Sequence, residues 1–273
     1  GGDDVLTTGP GSARILGGSG NDILSSGAGN DLVRGQGGSD EIDGGSGNDK
    51  LFGDAGNDTV DGGEDDDLFI VGSGTDHLSG GEGNDKVWVR KNTDMTVDDT
   101  QIVANGTDSL DSIESAFLKD GNTPHTLDTS GFTGNVTVVG MNGGDTIATG
   151  SGDDSIAAGG GDDVITTGDG ADIVRGRDGN DNIDGGAGGD DLIGDDGDDT
   201  IDGGEGNDQV EDGEGTNSLT VGAGADHLTA GGGTANVPVT MRVFPVKLPD
   251  AFSTFIGGFE YPLAGTYEVT EQN

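Results

Sequence analysis

Residues 17–61 read GGSGNDILS, SGAGNDLVR, GQGGSDEID, GGSGNDKLF and GDAGNDTVD, consecutive nonapeptides in a single frame. The sixth position is Asp in every unit (Asp22, Asp31, Asp40, Asp49, Asp58), and the eighth is aliphatic (Leu24, Val33, Ile42, Leu51, Val60). The first four positions are rich in glycine. Self-similarity at a fixed short period is the mark of a solenoid, in which each unit buries its apolar residue only by stacking on its neighbours.

The frame runs outward from this stretch in both directions. Gly1–Thr7 fit positions three to nine of a unit, and the pattern continues with decay through GGEDDDLFI, VGSGTDHLS and GGEGNDKVW to about residue 97. A second array occupies residues 131–238, with units such as TGSGDDSIA, AGGGDDVIT and GRDGNDNID. In the first array the acidic column comprises Asp4, Asp22, Asp31, Asp40, Asp49, Asp58, Asp67, Asp76, Asp85 and Asp94, interrupted by Ala13. In the second it comprises Asp145, Asp154, Asp163, Asp172, Asp181, Asp190, Asp199, Asp208 and Asp226, interrupted by Asn217. The aliphatic column keeps phase with it from Leu6 to Val87 and again from Ile147 to Leu228.

Composition sharpens the reading. The chain has 273 residues, 59 glycines, no cysteine and a formal charge of −42. So much negative charge repels a compact state unless a cation neutralises it. It also excludes nucleic acid as a partner by sign, and makes an anionic membrane surface an unsuitable one. No segment approaches the ~20 apolar residues of a membrane span, so no membrane insertion is expected. Absence of cysteine removes disulfides and thiolate metal sites from consideration.

Glycine-rich positions one to six suit a turn that needs positive φ, and positions seven to nine a short strand with its middle residue inward. Two units then close a coil of 18 residues, with strands stacked ~4.8 Å apart. Carboxylates 18 residues apart share an edge. Asp4, Asp22, Asp40, Asp58, Asp76 and Asp94 are expected on one edge of the first array, and Asp31, Asp49, Asp67 and Asp85 on the other. In the second array Asp145, Asp163, Asp181 and Asp199 form one file, and Asp154, Asp172, Asp190, Asp208 and Asp226 the opposite one. Ladders of like charge call for a hard cation between successive rungs. Ca²⁺ fits, since it takes 6–8 oxygen ligands in flexible geometry, and the gaps between rungs point to on the order of 15 ions.

The pattern GGxGxDxUx, U being a large aliphatic, resembles the RTX (repeats-in-toxin) calcium-binding family across both arrays. That resemblance implies an all-β parallel β-roll, a β-solenoid of 18-residue coils, with Ca²⁺ held by the Asp side chains and completed by glycine-turn carbonyls. It also implies export by a type I secretion route and a secreted, extracellular location.

The arrays resemble each other beyond the motif. Asp31–Gly35 (DLVRG) matches Asp172–Gly176 (DIVRG), and Asp76-His77-Leu78 matches Asp226-His227-Leu228, so the chain reads as two copies of a long module. Residues 98–130 lose the period and read as a linker, hinge or cap, with Ile113, Phe117 and Leu118 in a short helix or strand over a coil end. Residues 239–273 hold six of the ten Phe and Tyr residues and several prolines. They read as a C-terminal cap or as a segment that docks on a neighbouring copy. The chain begins on Gly1 in mid-repeat, which is expected either of an incomplete first coil or of trimming from a longer protein.

No HExxH, GxSxG, P-loop or cysteine nucleophile is present, so catalysis is not expected. His77 and His227 occupy like positions in the repeat and read as inheritance, and Arg34 and Arg175 as outward residues in surface ion pairs. The ninth positions (Thr7, Leu16, Ser25, Arg34, Asp43, Phe52) form no rank of identical residues of the kind that binds ice. The expected function is a calcium-folded structural or adhesive protein: a surface-layer, matrix or filament subunit, or an adhesin segment, self-associating head to tail or in a lattice. The alternative is the export and folding module of a secreted toxin or enzyme whose catalytic domain lies elsewhere.

Overall fold

The computed structural model describes residues 1–211, 213–230, 234–236 and 268–271, and among these there is no helix. Strands alternate between two sheets. The longer, of fifteen strands, begins with Val5–Thr7, Ile23–Ser25 and Glu41–Ser46; the shorter, of thirteen, begins with Arg14–Ser19, Leu32–Gly37 and Lys50–Ala55. Neighbours pair in parallel with a register of 18, as in Val5↔Ile23↔Glu41 and Arg14↔Leu32↔Lys50. The expected parallel β-roll is therefore the fold.

The core is a file of single residues. Leu24, Val33, Ile42, Leu51, Val60, Phe69 and Val87 are buried, as are Ile147, Ile156, Ile165, Val174, Ile183, Leu192, Ile201, Val210 and Leu219. Flanking residues of the regular strands point out, so each of these buries one large side chain, whereas Lys86–Arg90 and Asn135–Val139 bury two valines each. Leu6 in the first coil is the exception and remains exposed. A core this thin needs firm backbone pairing, and the pair at positions five and six supplies it. The position-five carbonyl-type oxygen accepts the N–H of the coil after it, as Asn21 does from Ser39 (2.7 Å) and Asn180 from Asp198 (2.8 Å). The position-six carboxylate accepts the N–H of the coil before it, as Asp40 does from Asp22 (2.9 Å). Adjacent Asn-Asp residues thus bond the coil in both directions.

Glycine is needed where φ is positive, as at Gly18 (113°) and Gly20 (122°). Some units place other residues there: Gln36, Asp54, Arg177 and Asp195 stand at the second position and Asp65 at the fourth, all with φ between 70° and 86°. Asp54 and Asp195 repay the strain by ion pairs across the coils, to Arg34 at 2.7 Å and to Arg175 at 3.0 Å. These are the outward pairs expected of the two arginines.

The expected linker or cap at 98–130 needs correction, because these residues are strands of both sheets. From Lys86–Arg90 in the shorter sheet the chain crosses to Met95–Asp98 in the longer one, then doubles back antiparallel as Gln101–Val103 and Thr107–Asp111. The last of these pairs in parallel with His77–Glu82. The chain returns to the shorter sheet as Ser115–Lys119 on Lys86–Arg90, and Thr126–Gly131 then stacks on Met95–Asp98. A local meander is inserted and both sheets run on through it. Its core is Met95, Val97, Ile102, Leu110, Ala116, Leu118 and Leu127. Leu118 points inward, Ile113 packs against the core, and Phe117 lies outside, edge-on to Trp88 at 5.2 Å.

Of the tail read as a cap or docking segment, Glu268–Glu271 pairs with His227–Ala230 as the last strand of the shorter sheet. Its six aromatic residues lie outside the described residues.

Asp65 carries its positive φ, and among the described residues it makes no ion pair of the kind that Asp54 and Asp195 make; its charge also acts on Asp67. Replacing it with glycine removes both burdens. Asp65→Gly is expected to stabilise the calcium-loaded chain by about 1 kcal/mol, read as a rise in Tm; an unchanged or lower Tm would count against strain at this turn.

Candidate metal centre

Each edge of the roll carries a file of carboxylates spaced by one coil. On the longer sheet's edge the N–H groups of Asp4, Asp22, Asp40, Asp58 and Asp76 donate in turn to Oδ1 of Asp22, Asp40, Asp58, Asp76 and Asp108. On the shorter sheet's edge Ala13, Asp31, Asp49, Asp67 and Asp85 donate to Asp31, Asp49, Asp67, Asp85 and Glu114. Beyond the meander one file runs His125, Asp145, Asp163, Asp181, Asp199 and Asn217. The other runs Val136, Asp154, Asp172, Asp190, Asp208 and Asp226. All these bonds measure 2.6 to 3.1 Å.

The stacking departs from expectation at the meander. Asp94 is not the rung after Asp76; Asp108 is, and Asp94 accepts the N–H of Thr126 instead. Asp108 and Glu114 are rungs that the nonapeptide frame does not reach. Asp108-Ser109-Leu110 does keep the Asp-x-aliphatic signature, which is the signal that marks it. Asp4, in the first coil, has an exposed carboxylate.

One oxygen of each carboxylate is thus satisfied by the backbone. The second, Oδ2, is buried without a hydrogen-bond partner in Asp22, Asp31, Asp40, Asp49, Asp58, Asp67, Asp85, Asp145, Asp163, Asp181, Asp190, Asp208 and Asp226. A buried, unpaired carboxylate oxygen carries a heavy desolvation cost. It is repeated here in almost every coil.

Backbone oxygens share the same space. A Cβ placed on Gly44 would lie 2.6 Å from Asp49 Oδ2 and 2.6 Å from the Gly62 carbonyl oxygen; on Gly185 it would lie 2.8 Å from both Asp190 Oδ2 and the Gly203 oxygen. In the units that begin with glycine, that residue keeps open a cradle in which a carboxylate oxygen and a carbonyl oxygen of the next coil converge; Ser26, Thr149, Ala158 and Thr167 hold the same position in other units. An all-oxygen donor set of this kind, carrying negative charge and flexible in geometry, fits Ca²⁺. The bound ion supplies charge neutralisation; the chain supplies the oxygens and holds them at the turn.

The electrostatics agree. Burial above all, then the charge of neighbouring rungs, pushes Asp67 and Asp163 up to about 7, against a partial opposing effect of the backbone N–H each accepts. Asp49, Asp58, Asp154, Asp181 and Asp190 are pushed to about 6, again chiefly by burial. Asn217 takes an Asp place with an amide, accepting from Asp199 at 2.7 Å while its own Nδ2 stays buried without a partner.

The family described as RTX calcium-binding nonapeptide repeat (4 copies) matches residues 1–33, 34–69, 70–94, 139–174, 175–210 and 211–234, well over half of the chain. No curated protein matches it. The unmatched stretch 95–138 coincides with the meander and the strands that follow it.

The cradle is tested by two alanine substitutions. Gly44 has no positive φ, so Gly44→Ala meets no φ penalty, and its methyl group is placed against both oxygens of the cradle, Asp49 Oδ2 and the Gly62 carbonyl oxygen. It is expected to raise the calcium concentration needed for folding, whereas Gly9→Ala, with open space around it, leaves this midpoint unchanged. Equal midpoints for the two variants would rule the cradle out.

The raised carboxyls also set a pH dependence. An acid whose folded pKa lies above its ordinary value of 3.8 favours the fold when protonated, and that stability is lost as pH rises through the folded pKa, here about 6 to 7. The EDTA-stripped chain is therefore expected to gain β-type circular dichroism on acidification through this window. Calcium affinity of the acid-folded chain should fall over the same range, as protons compete with the ion for the buried carboxylates. A binding affinity of that folded state independent of pH there would contradict the buried-carboxylate assignment.

Proposed function

The chain belongs to the RTX calcium-binding nonapeptide-repeat family, and we propose that it is a secreted structural or adhesive subunit, folded by Ca²⁺ outside the cell and assembling laterally with copies of itself. Where free calcium is scarce, repulsion along the carboxylate files keeps the chain unfolded and fit for export. Where calcium is abundant, binding free energy becomes folding free energy, because the ions bind the folded coil and not the unfolded chain.

The observation that carries the assembly reading is the segregation of Lys and Arg onto one of the two faces. Every Lys and Arg among the described residues lies on or directly beside a strand of the shorter sheet: Arg14, Arg34, Lys50, Lys86, Arg90, Lys91, Lys119, Arg175 and Arg177. Along the same outer face Arg34, Phe52, Ile70, Trp88 and Phe117 stand in register on successive strands. The Arg34 guanidinium sits 4.5 Å above the Phe52 ring, and Lys50 lies near both Phe52 and Trp88. The longer sheet turns outward Glu41, Asp43, Asp61, Asp111, Asp184 and Asp202. A basic and aromatic face on one copy complements the acidic face of the next. An interface that joins unlike faces propagates into a sheet or filament.

The calcium ligands of this reading are the position-six carboxylates, and their identical repetition supports a scaffold in which this chain performs no catalysis. The competing reading, a solitary export module of a toxin or enzyme, requires no complementary faces.

Light scattering of the calcium-folded chain discriminates the two. Particle growth is expected at low salt, reduced by added salt and by the charge reversals Lys50→Glu and Lys86→Glu, with the circular dichroism unchanged. A calcium-folded monomer at every concentration and salt would overturn the assembly reading in favour of the module.

A further inference from the structure

Beyond the meander the file on the longer sheet's edge opens on a rung that is not a carboxylate. His125 occupies the place before Thr126–Gly131 that Asp holds in the regular coils, and its N–H donates to Asp145 Oδ1 at 3.0 Å as an Asp rung would. Its imidazole turns toward Asp120, with Nδ1 2.9 Å from Asp120 Oδ1 and 2.9 Å from Oδ2. The Asp120 side chain is completely buried and that of His125 is 12% exposed. Asp145 completes the group: it is buried, and its Oδ2 has no hydrogen-bond partner. One ligand atom from each of the three residues lies within 4.8 Å of the others.

We propose that Asp120, His125 and Asp145 form a second kind of metal site, selective for a divalent cation that accepts imidazole nitrogen, with Zn²⁺ the fitting ion. Ca²⁺ is hard and takes oxygen ligands, so an imidazole facing the site makes it a poor calcium rung. Zn²⁺ binds histidine nitrogen and carboxylate oxygen together, and is content with three protein ligands and one open position. An ion pair between His125 and Asp120 alone leaves the buried Asp145 carboxylate beside it as a second negative charge; a divalent cation shared by all three residues neutralises both carboxylates. The ring's far side is prepared for the same role. Nε2 lies 3.2 Å from Thr123 Oγ1, so a ring coordinating through Nδ1 is held in the required tautomer by a bond from Nε2–H to the threonine hydroxyl. Sequence spacing conceals the group, because its members sit 5 and 20 residues apart in a 20-residue coil that the nonapeptide frame does not cover.

The test uses the full chain, stripped of metal and refolded in a large excess of Ca²⁺. Co²⁺ added as a spectroscopic probe is expected to give the visible absorption of a four-coordinate site at one ion per chain, bleached by stoichiometric Zn²⁺. His125→Asp should abolish that absorption and the tight Zn²⁺ binding while leaving calcium-induced circular dichroism unchanged, and His125→Asn provides the same reading if the added charge disturbs folding. Thr123→Val, which removes only the supporting hydroxyl, should weaken Zn²⁺ binding by about 10- to 100-fold. The exposed imidazoles serve as controls, and His77→Gln with His227→Gln should change nothing. Loss of Zn²⁺ to excess Ca²⁺, retention of tight Zn²⁺ binding by the His125 variants, or dependence on His77 and His227 would each overturn the proposal.

Discussion

Burial of one carboxylate per turn is the constraint on which the rest of this structure depends. A regular rung places a carboxylate where water does not reach, satisfies one of its oxygens with a backbone N–H from the preceding coil, and turns the other toward the first residue of its own unit, most often glycine. The aliphatic file alone is too thin to offset that cost, since it contributes one large side chain per regular strand. The coil is consequently a fold whose stability is conditional on a cation. The acidic composition then acts as the control: repulsion opposes folding until ions arrive, and afterwards the same charges are ligands.

The glycine and Asn-Asp positions follow from that constraint. First-position glycine is there for the space its missing Cβ leaves beside the carboxylate; glycine at the second and fourth positions is there for positive φ. These are different demands on the same residue type. The second is negotiable, as Asp54 and Asp195 demonstrate with their compensating arginine pairs. The first is relaxed too, since Ser26, Thr149, Ala158 and Thr167 stand at the first position of units that keep their rungs, and the hydroxyls of Ser26, Thr149 and Thr167 bond a carbonyl of the next coil. Position five contributes a role of its own by bonding forward while position six bonds backward, which fixes each coil to both neighbours without any large core.

Placing an antiparallel meander inside a parallel solenoid costs little, because the roll has no long-range packing to disturb. Gln101–Val103 and Thr107–Asp111 need only reach the edge of His77–Glu82, and the register resumes on the far side. At this junction the coil lengthens from 18 to 20 residues, and it is here that a histidine replaces a rung. The irregular coil is where the file's chemistry changes.

Much of this was legible without coordinates. Two columns at a period of nine, one acidic and one aliphatic, determine a parallel coil, its 18-residue register, the inward residues and the position-six files, because both signals are local and repeat often enough to exclude chance. Residues 98–130 were misread as a linker or cap since antiparallel strands obey a period of two, and a frame of nine sees in them only the loss of its own pattern. The identity of the rung after Asp76 depends on which strand reaches that edge, so Asp108 in place of Asp94 was a tertiary decision. So was the gathering of Asp120, His125 and Asp145, which no spacing rule connects. Segregation of Lys and Arg onto one face likewise emerges only when alternate nonapeptides are dealt to alternate sheets. Sequence determined what repeats, through local geometry; the tertiary structure alone decided what happens where the repeat breaks, through which strand edges come to lie side by side.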